Sequence, residues 1–244
     1  MKSLVLIFCI FSFLFPSDFK SQQIKNARVH TAYLEKEKAL KTKLKTLGVS
    51  LPKLEIYLRA FKYEREIEIW VRNKADAQFQ KLGTMPFCAG SGRLGPKNQQ
   101  GDLQIPEGFY VIDRFHPESS YYLSLGINYP NAADKARSKA PNLGGDIFIH
   151  GKCMSAGCIA ITDEGIKELY VLTVEACQNG QNQIPVHIFP ARLTSENLEE
   201  LRFQFREKPQ YLSFWQNLKT GYDFFEKNRI LPAVTVQNGD YQFR

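Results

Sequence analysis

An α+β fold is predicted for this 244-residue chain by three observations. Hydrophobic residues make up 43% and aromatics 13%, enough for a packed core. Period-two alternation runs through the middle of the chain. Helical stripes lie before it, after residue 162 and in the tail. The class that follows is a mainly β core with helices around it and a helix at the N-terminus.

The first segment, MKSLVLIFCIFSFLFPSDFKSQQ, has a lysine at position 2 and an apolar run from Leu4 to Phe15 broken only by Ser12, then Pro16. That run is too short to cross a bilayer comfortably and suits the apolar region of a secretory signal. Residues 1–21 are therefore expected to be a signal peptide or N-terminal anchor, and residues 4–15, if uncleaved, a membrane tether. Residues 22–50 form a lysine-rich helical segment. Tyr33, Leu40, Leu44 and Leu47 fall on one side, lysines 36, 38, 41, 43 and 45 spread around the rest, and Gly48 and Pro52 stop it. Those lysines read as a solvated face.

The period then changes to two over LEIYLRAFKYEREIEIWVRN, which predicts two strands joined near 62–66. Residues 83–108 are rich in glycine and proline and read as short strands and broad loops. Further strands are expected at Phe109–Arg114, Tyr121–Leu125, Asp146–His150 and Pro185–Phe189, with a long loop over INYPNAADKARSKAPNLGG. Thr162 and Asp163 cap a helix whose apolar stripe is Ile166, Leu169, Tyr170, Val174 and Cys177, closed by Asn179-Gly180. Residues 193–244 are read as a helical extension packed on the core, with helices near Glu196–Phe205 and Tyr211–Glu226.

The formal charge of +7 favours anionic partners: nucleic acid, an acidic membrane surface or a carboxylate-rich polymer such as cell wall. The export signal and the lack of a basic-aromatic motif argue against nucleic acid. Of five cysteines, Cys88, Cys153, Cys158 and Cys177 remain once Cys9 is removed with the leader. Four are too few for a disulfide scaffold but allow one bridge.

The densest chemistry is IHGKCMSAGCIAIT, with His150, Cys153 and Cys158 close together. Three readings compete. A zinc site has these three as ligands but lacks a CxxC or HxxxH pair. A Cys153–Cys158 bridge closes a very small loop. A nucleophile with its base explains more residues. His150 ends a strand, Gly151 lets the chain turn away, and Gly157 directly before Cys158 leaves backbone N–H groups open to a substrate carbonyl. Cys153 has no such glycine, so Cys158 is the better nucleophile. His187, in an apolar strand, reads as a core histidine. His116 and His30 are assigned no role.

HG followed by SxGC resembles the active-site signature of the YkuD-type L,D-transpeptidases, nearest their YafK-like branch. The likeness covers about residues 50–240. FKYEREIEIWV, SGRLGPKNQQGDLQIPEGFY, YYLSLGINYPNAADKAR, IHGKCMSAGCIAITD, IPVHIFP and FWQNLKTGYDFFE occur in that branch's order. The resemblance implies a YkuD-like sandwich or barrel over residues 51–192. It also implies a cysteine-dependent enzyme of cell-wall biogenesis and cell shape, working on peptidoglycan stem peptides in the periplasm or cell envelope. Position by position, it makes His150 the general base and acid and Cys158 the nucleophile, with Gly157 as oxyanion-hole backbone and Ser155 shaping the turn. The common family pattern has histidine before the glycine and arginine or asparagine two residues after the cysteine, where this chain has Ala156 and Ala160. Its His-to-Cys spacing is also shorter.

Tyr129, Asn131 and Arg137 of the long loop, with Gly151, are the candidate substrate-binding residues, the SGRLGP and QIPEG turns are expected to contribute, and Arg137 suits a stem carboxylate. No cofactor or metal is expected. Some YafK-like members are hydrolases that release wall-linked lipoprotein, so a carboxypeptidase or endopeptidase is the alternative outcome. A non-catalytic wall-binding module is the alternative from another class.

Overall fold

The computed structural model describes residues 18–244. The expected leader therefore lies almost wholly outside the described residues. Of its last positions, Phe19 opens a short helix, α1 (Phe19–Ile24), and is buried.

The lysine-rich helix is α2 (Ala27–Thr46), shorter at its start than the stripe alone suggests because Asn26 accepts the Arg28 N–H and caps it. Lys36 pairs with Glu164, and Lys43 with Glu168 at 3.3 Å. Both acids belong to α4 (Asp163–Gln178), so two of the five lysines fasten α2 to its neighbour, while Lys38, Lys41 and Lys45 face solvent.

Eight strands form one sheet: β1 (Leu54–Phe61), β2 (Glu66–Asn73), β3 (Gln80–Pro86), β4 (Gly108–His116), β5 (Ser124–Ile127), β6 (Phe148–His150), β7 (Ile159–Ala160) and β8 (Ile184–Phe189). Their spatial order is β3-β2-β1-β8-β4-β5-β6-β7. Strand β8 runs parallel to β1 and antiparallel to β4, and β6 runs parallel to β7. The sheet curls so that its two edges approach each other. Just beyond β3, the Cys88 N–H donates to the Ala160 carbonyl at 2.9 Å, and Ala89 bridges Ala160.

Both faces of β1 are covered, for different reasons. Ile56, Leu58 and Ala60 enter a core shared with Leu40 and Leu44 of α2 and Ile166 and Leu169 of α4. Tyr57 and Phe61 point the other way. They meet aromatics of α6 (Pro209–Asn228), including Phe225 and Tyr222, in ring contacts of 4.8 and 6.3 Å. Arg59 lies on that second face, 1% exposed, paired with Glu68 at 2.7 Å and with Glu226 of α6 at 2.6 Å.

Several expectations need correction. The strand expected at Tyr121–Leu125 starts three residues later, because Ser119–Tyr122 close a turn. The long loop contains α3 (Ala132–Arg137), capped by Asn131, and the Gly-rich region is preceded by β3. The tail carries α5 (Ser195–Gln204), α6 and a hairpin of β9 (Val234–Gln237) and β10 (Asp240–Phe243) that the helical reading missed. Its turn is Asn238-Gly239, both with positive φ, the dipeptide most typical of a tight hairpin. His187 is buried as expected, with Nδ1 2.7 Å from the Tyr57 hydroxyl, and Cys177 is buried on the α4 stripe. Among the described residues no helix is long and apolar enough to cross a membrane.

Candidate active site

The parallel pairing of β6 with β7 builds the site. Ile149 is level with Ile159 and His150 with Ala160, which sets Phe148 level with Cys158. Side chains alternate across a sheet, so Phe148, His150, Cys158 and Ala160 share one face. The row extends sideways, since Ser124 pairs with His150 and His116 with Ser124. A cavity of about 490 Å³ opens on this face, with His150, Cys158, His116, Tyr121 and Asp146 in its wall.

His150 is 1% exposed, under the ring of Tyr121 at a centroid distance of 4.5 Å. Its Nδ1–H donates to the Gly151 carbonyl at 2.6 Å. A carbonyl only accepts, so the neutral ring carries its proton on Nδ1 and leaves Nε2 as a base. Burial lowers the His150 pKa, and the Gly151 hydrogen bond opposes that shift.

Cys158 is a free, half-buried thiol. Its Sγ accepts the Phe148 N–H at 3.4 Å and donates to the Asp146 carbonyl at 3.7 Å. Burial raises its pKa more than the Phe148 N–H lowers it. Both shifts favour the neutral forms, thiol at Cys158 and imidazole at His150.

The connecting turn is fixed at several points. Gly157 has φ of +112°, a region that favours glycine. The Ser155 hydroxyl donates to the Cys158 carbonyl at 2.7 Å. The Gly157 N–H, expected to be open to substrate, instead donates to Ser91 Oγ at 2.6 Å. Gly151 packs against the start of α4, where an added Cβ would meet Asp163 Oδ1 at 2.6 Å, so close approach rather than ligand contact explains this glycine.

Cys153 is bonded to Cys88, with Cα atoms 5.2 Å apart. This corrects two readings at once. No Cys153–Cys158 bridge exists, and the three-ligand set of His150, Cys153 and Cys158 is dissolved. Among the described residues no group of three or more metal-ligating side chains converges.

The model of the YkuD family, L,D-transpeptidase catalytic domain, matches residues 64–188, just over half of the chain. The chain belongs to the YkuD family. Over 188 residues it is 39% identical to the "Putative L,D-transpeptidase YafK" of Escherichia coli strain K12, covering 76% of this chain and 72% of that one. Two solved structures are also similar. The helical cell shape determining protein Pgp2 from Campylobacter jejuni is 18% identical with a TM-score of 0.45, over 76% of this chain and 74% of that chain. Bdellovibrio bacteriovorus Bd1075 is 20% identical with a TM-score of 0.42, over 64% and 56%.

Within this YkuD domain the expected substrate-binding residues of the long loop are engaged elsewhere. The Arg137 guanidinium stacks on Phe214 at 3.7 Å and pairs with Asp240 at 3.0 Å. Tyr129 is buried, its hydroxyl donating to the Leu143 carbonyl at 3.2 Å. The Asn131 amide donates to the Phe109 carbonyl at 3.0 Å and to Tyr241 Oη at 2.9 Å, while its side-chain oxygen caps α3. None of the three lines the Cys158 cavity. Residues that reading the sequence passed over do. His116 ends β4 rather than sitting in a turn, Tyr121 covers His150, and Asp146 holds a left-handed φ of +54° beside the sulfur. Ser91, of the SGRLGP turn, lies outside this cavity and holds the Gly157 N–H from behind.

Proposed function

We propose that this chain is an exported, cysteine-dependent acyltransferase of the L,D-transpeptidase type that works on peptidoglycan stem peptides. The observation that carries the proposal is a free thiol and a buried single-tautomer imidazole on one sheet face, opening into one cavity. Family membership supports the substrate class. The apolar leader supports export, and so does the Cys88–Cys153 bridge, since such bonds persist in oxidising compartments.

In the proposed reaction Cys158 Sγ attacks the carbonyl at the L-centre of a diamino-acid residue, and its proton passes to His150 Nε2. The tetrahedral oxyanion is stabilised by backbone N–H groups of the turn. That role requires Gly157 to exchange its Ser91 acceptor for the oxyanion. His150 then gives the proton to the departing amine as the C–N bond breaks, leaving a thioester on Cys158. A second amine restores an amide and completes transpeptidation, whereas water leaves a free carboxylate. Ser155 holds the turn that presents the sulfur. A wall-linked lipoprotein is the macromolecular substrate if hydrolysis prevails, and residues 4–15 tether the enzyme to the membrane if the leader is retained.

The test is incubation of the leader-free protein with a disaccharide-tetrapeptide, with products followed by mass spectrometry and Cys158→Ala as control. Dimers or amine-exchanged stems that vanish in the variant establish transpeptidation; tripeptide alone establishes hydrolysis. If neither forms and no acyl-enzyme accumulates, the wall-binding module takes precedence.

A further inference from the structure

A second cavity, of about 260 Å³, adjoins the nucleophile turn. The β1–β2 turn supplies Lys62, Tyr63 and Arg65 to its wall, and the loop after β3 supplies Ser91 and Arg93. Ser91 links this cavity to the active site. Its hydroxyl accepts the Gly157 N–H at 2.6 Å and lies 3.3 Å from Ser155 Oγ. One turn therefore separates a cavity that holds the sulfur from one that does not.

The second cavity is cationic, and its charges differ in kind. Lys62 is buried and already satisfied, 2.9 Å from Glu107 and donating to the carbonyls of Gly95 and Ile105. Arg65 and Arg93 are exposed, and neither guanidinium has a carboxylate partner among the described residues. Arg65 sits on a fixed backbone. Its φ is +56°, and its carbonyl accepts the Phe87 N–H at 2.7 Å. Its Nη2 reaches the opposite wall, where a Cβ added at Gly90 would lie 4.0 Å away. Arg93 is held from behind, its N–H donating to Gln104 Oε1 at 2.9 Å. Two guanidiniums without carboxylate partners line one cavity, a surplus of positive charge that an anion would satisfy, and their planar forks suit a carboxylate.

We propose that this cavity binds the carboxylate next to the reacting amine, first that of the terminal residue that leaves on acylation and then that of the second stem whose amine enters on transfer. This rests on the reading above that Cys158 is acylated by a stem peptide. The acyl group then occupies the cavity that holds the sulfur. The amine expelled from the tetrahedral intermediate and the amine that attacks the thioester must occupy the same side of that centre, because one step is the reverse of the other. A carboxylate anchored by Arg65 and Arg93 keeps the reacting amine beside the turn through both steps.

The test is calorimetric titration of the Cys158→Ala protein with three probes: a synthetic stem tripeptide ending in a free carboxylate, the same peptide as its terminal carboxamide, and inorganic phosphate. The carboxylate is expected to bind at least about tenfold tighter than the carboxamide. Adding R65Q and R93Q should abolish that preference, and R65K with R93K should restore part of it. Equal affinities, a preference that survives R65Q/R93Q, or no binding of either peptide overturns the proposal. Phosphate that displaces the peptide at equal concentration also overturns it, marking a general anion site. Failure of the underlying reaction is separately visible: a wild-type protein that never forms an acyl-enzyme, while the Arg-dependent preference persists, removes the chemistry and leaves the subsite standing.

Discussion

The Ser91 hydroxyl holds the Gly157 N–H at 2.6 Å across 66 residues of sequence. It also donates to the Leu103 carbonyl at 2.9 Å, so one side chain ties the turn before Cys158 to the loop at Leu103. Ser91→Ala removes both bonds and leaves the Gly157 N–H without this acceptor. Acylation of Cys158 by a stem peptide is expected to slow by about tenfold, with a stability loss of about 1 kcal/mol. Single-turnover mass spectrometry checks the first and urea denaturation the second. Wild-type acylation in the variant would show that the turn holds its shape without Ser91.

The neutral thiol–imidazole pair makes a pH prediction for a small alkylating reagent. Because burial raises the Cys158 pKa, its thiolate fraction at neutral pH is below that of an ordinary thiol. Alkylation should therefore increase about tenfold per pH unit from neutrality upward, with a midpoint above the ordinary cysteine value of about 8.5. In the leader-free protein, which lacks Cys9, Cys88 and Cys153 are in a disulfide and Cys177 is buried, so the signal reports on Cys158. A rate that stays flat from pH 6 to 8 would indicate a thiolate–imidazolium pair instead.

The disulfide is expected to contribute both stability and activity. It closes a loop with a sequence separation of 65, for which chain-entropy reasoning gives about 4 kcal/mol as an upper figure. Cys153→Ser, or reduction of the wild type, should lower stability by about 2–4 kcal/mol. It should also slow turnover, since Cys153 lies inside the turn that links His150 to Cys158. Denaturation curves and product formation with and without reductant measure the two effects, and a reductant-indifferent turnover would confine the bridge to stability.

Glu68 should govern acid stability. Its carboxylate accepts from Arg59 and Trp70 on one oxygen and from Lys81 and Arg192 on the other. Burial works against ionisation, but the Arg59 charge and these hydrogen bonds outweigh it and hold the pKa at about 2, below its ordinary 4.5. A depressed carboxylate pKa stabilises the fold above the unfolded value, and that contribution is lost as pH falls from about 4.5 toward 2. In Glu68→Gln the stability at neutral pH should drop, because Arg59 is left buried without its full partner, and the acid slope should flatten. Thermal melting from pH 7 to 3 checks both; an unchanged slope would assign acid unfolding to other carboxylates.

What was legible in the sequence followed from local rules. The alternation of Ile56, Leu58 and Ala60, the stripe on α4 and the Thr162 cap depend on neighbours within a few residues, and each appears where expected. His150 ends its strand as the local pattern predicts, whereas the Gly157 N–H that local reasoning left open is taken by Ser91. The partner of Cys153 was not legible, because Cys88 comes to it only when the curled sheet brings its edges together. Arg137 looked free for a ligand because Phe214 and Asp240 are far away in sequence. The Asn238-Gly239 hairpin is a different case: its signal was local, but it sat behind two strong helical patterns.

The position of β8 between β1 and β4 has a consequence for the order of assembly. Strands β3, β2 and β1 form one half of the sheet and β4 to β7 the other, and β8, made after both, joins them. Contacts so distant in sequence slow folding, so both halves wait with exposed edges until residues 184–189 arrive. Cys88 follows the first half and Cys153 lies in the second. A bridge formed before β8 docks would link halves not yet in register, whereas one formed afterwards locks a completed sheet. Thiol oxidation that lags behind strand insertion is therefore the sequence of events that gives a correctly closed molecule.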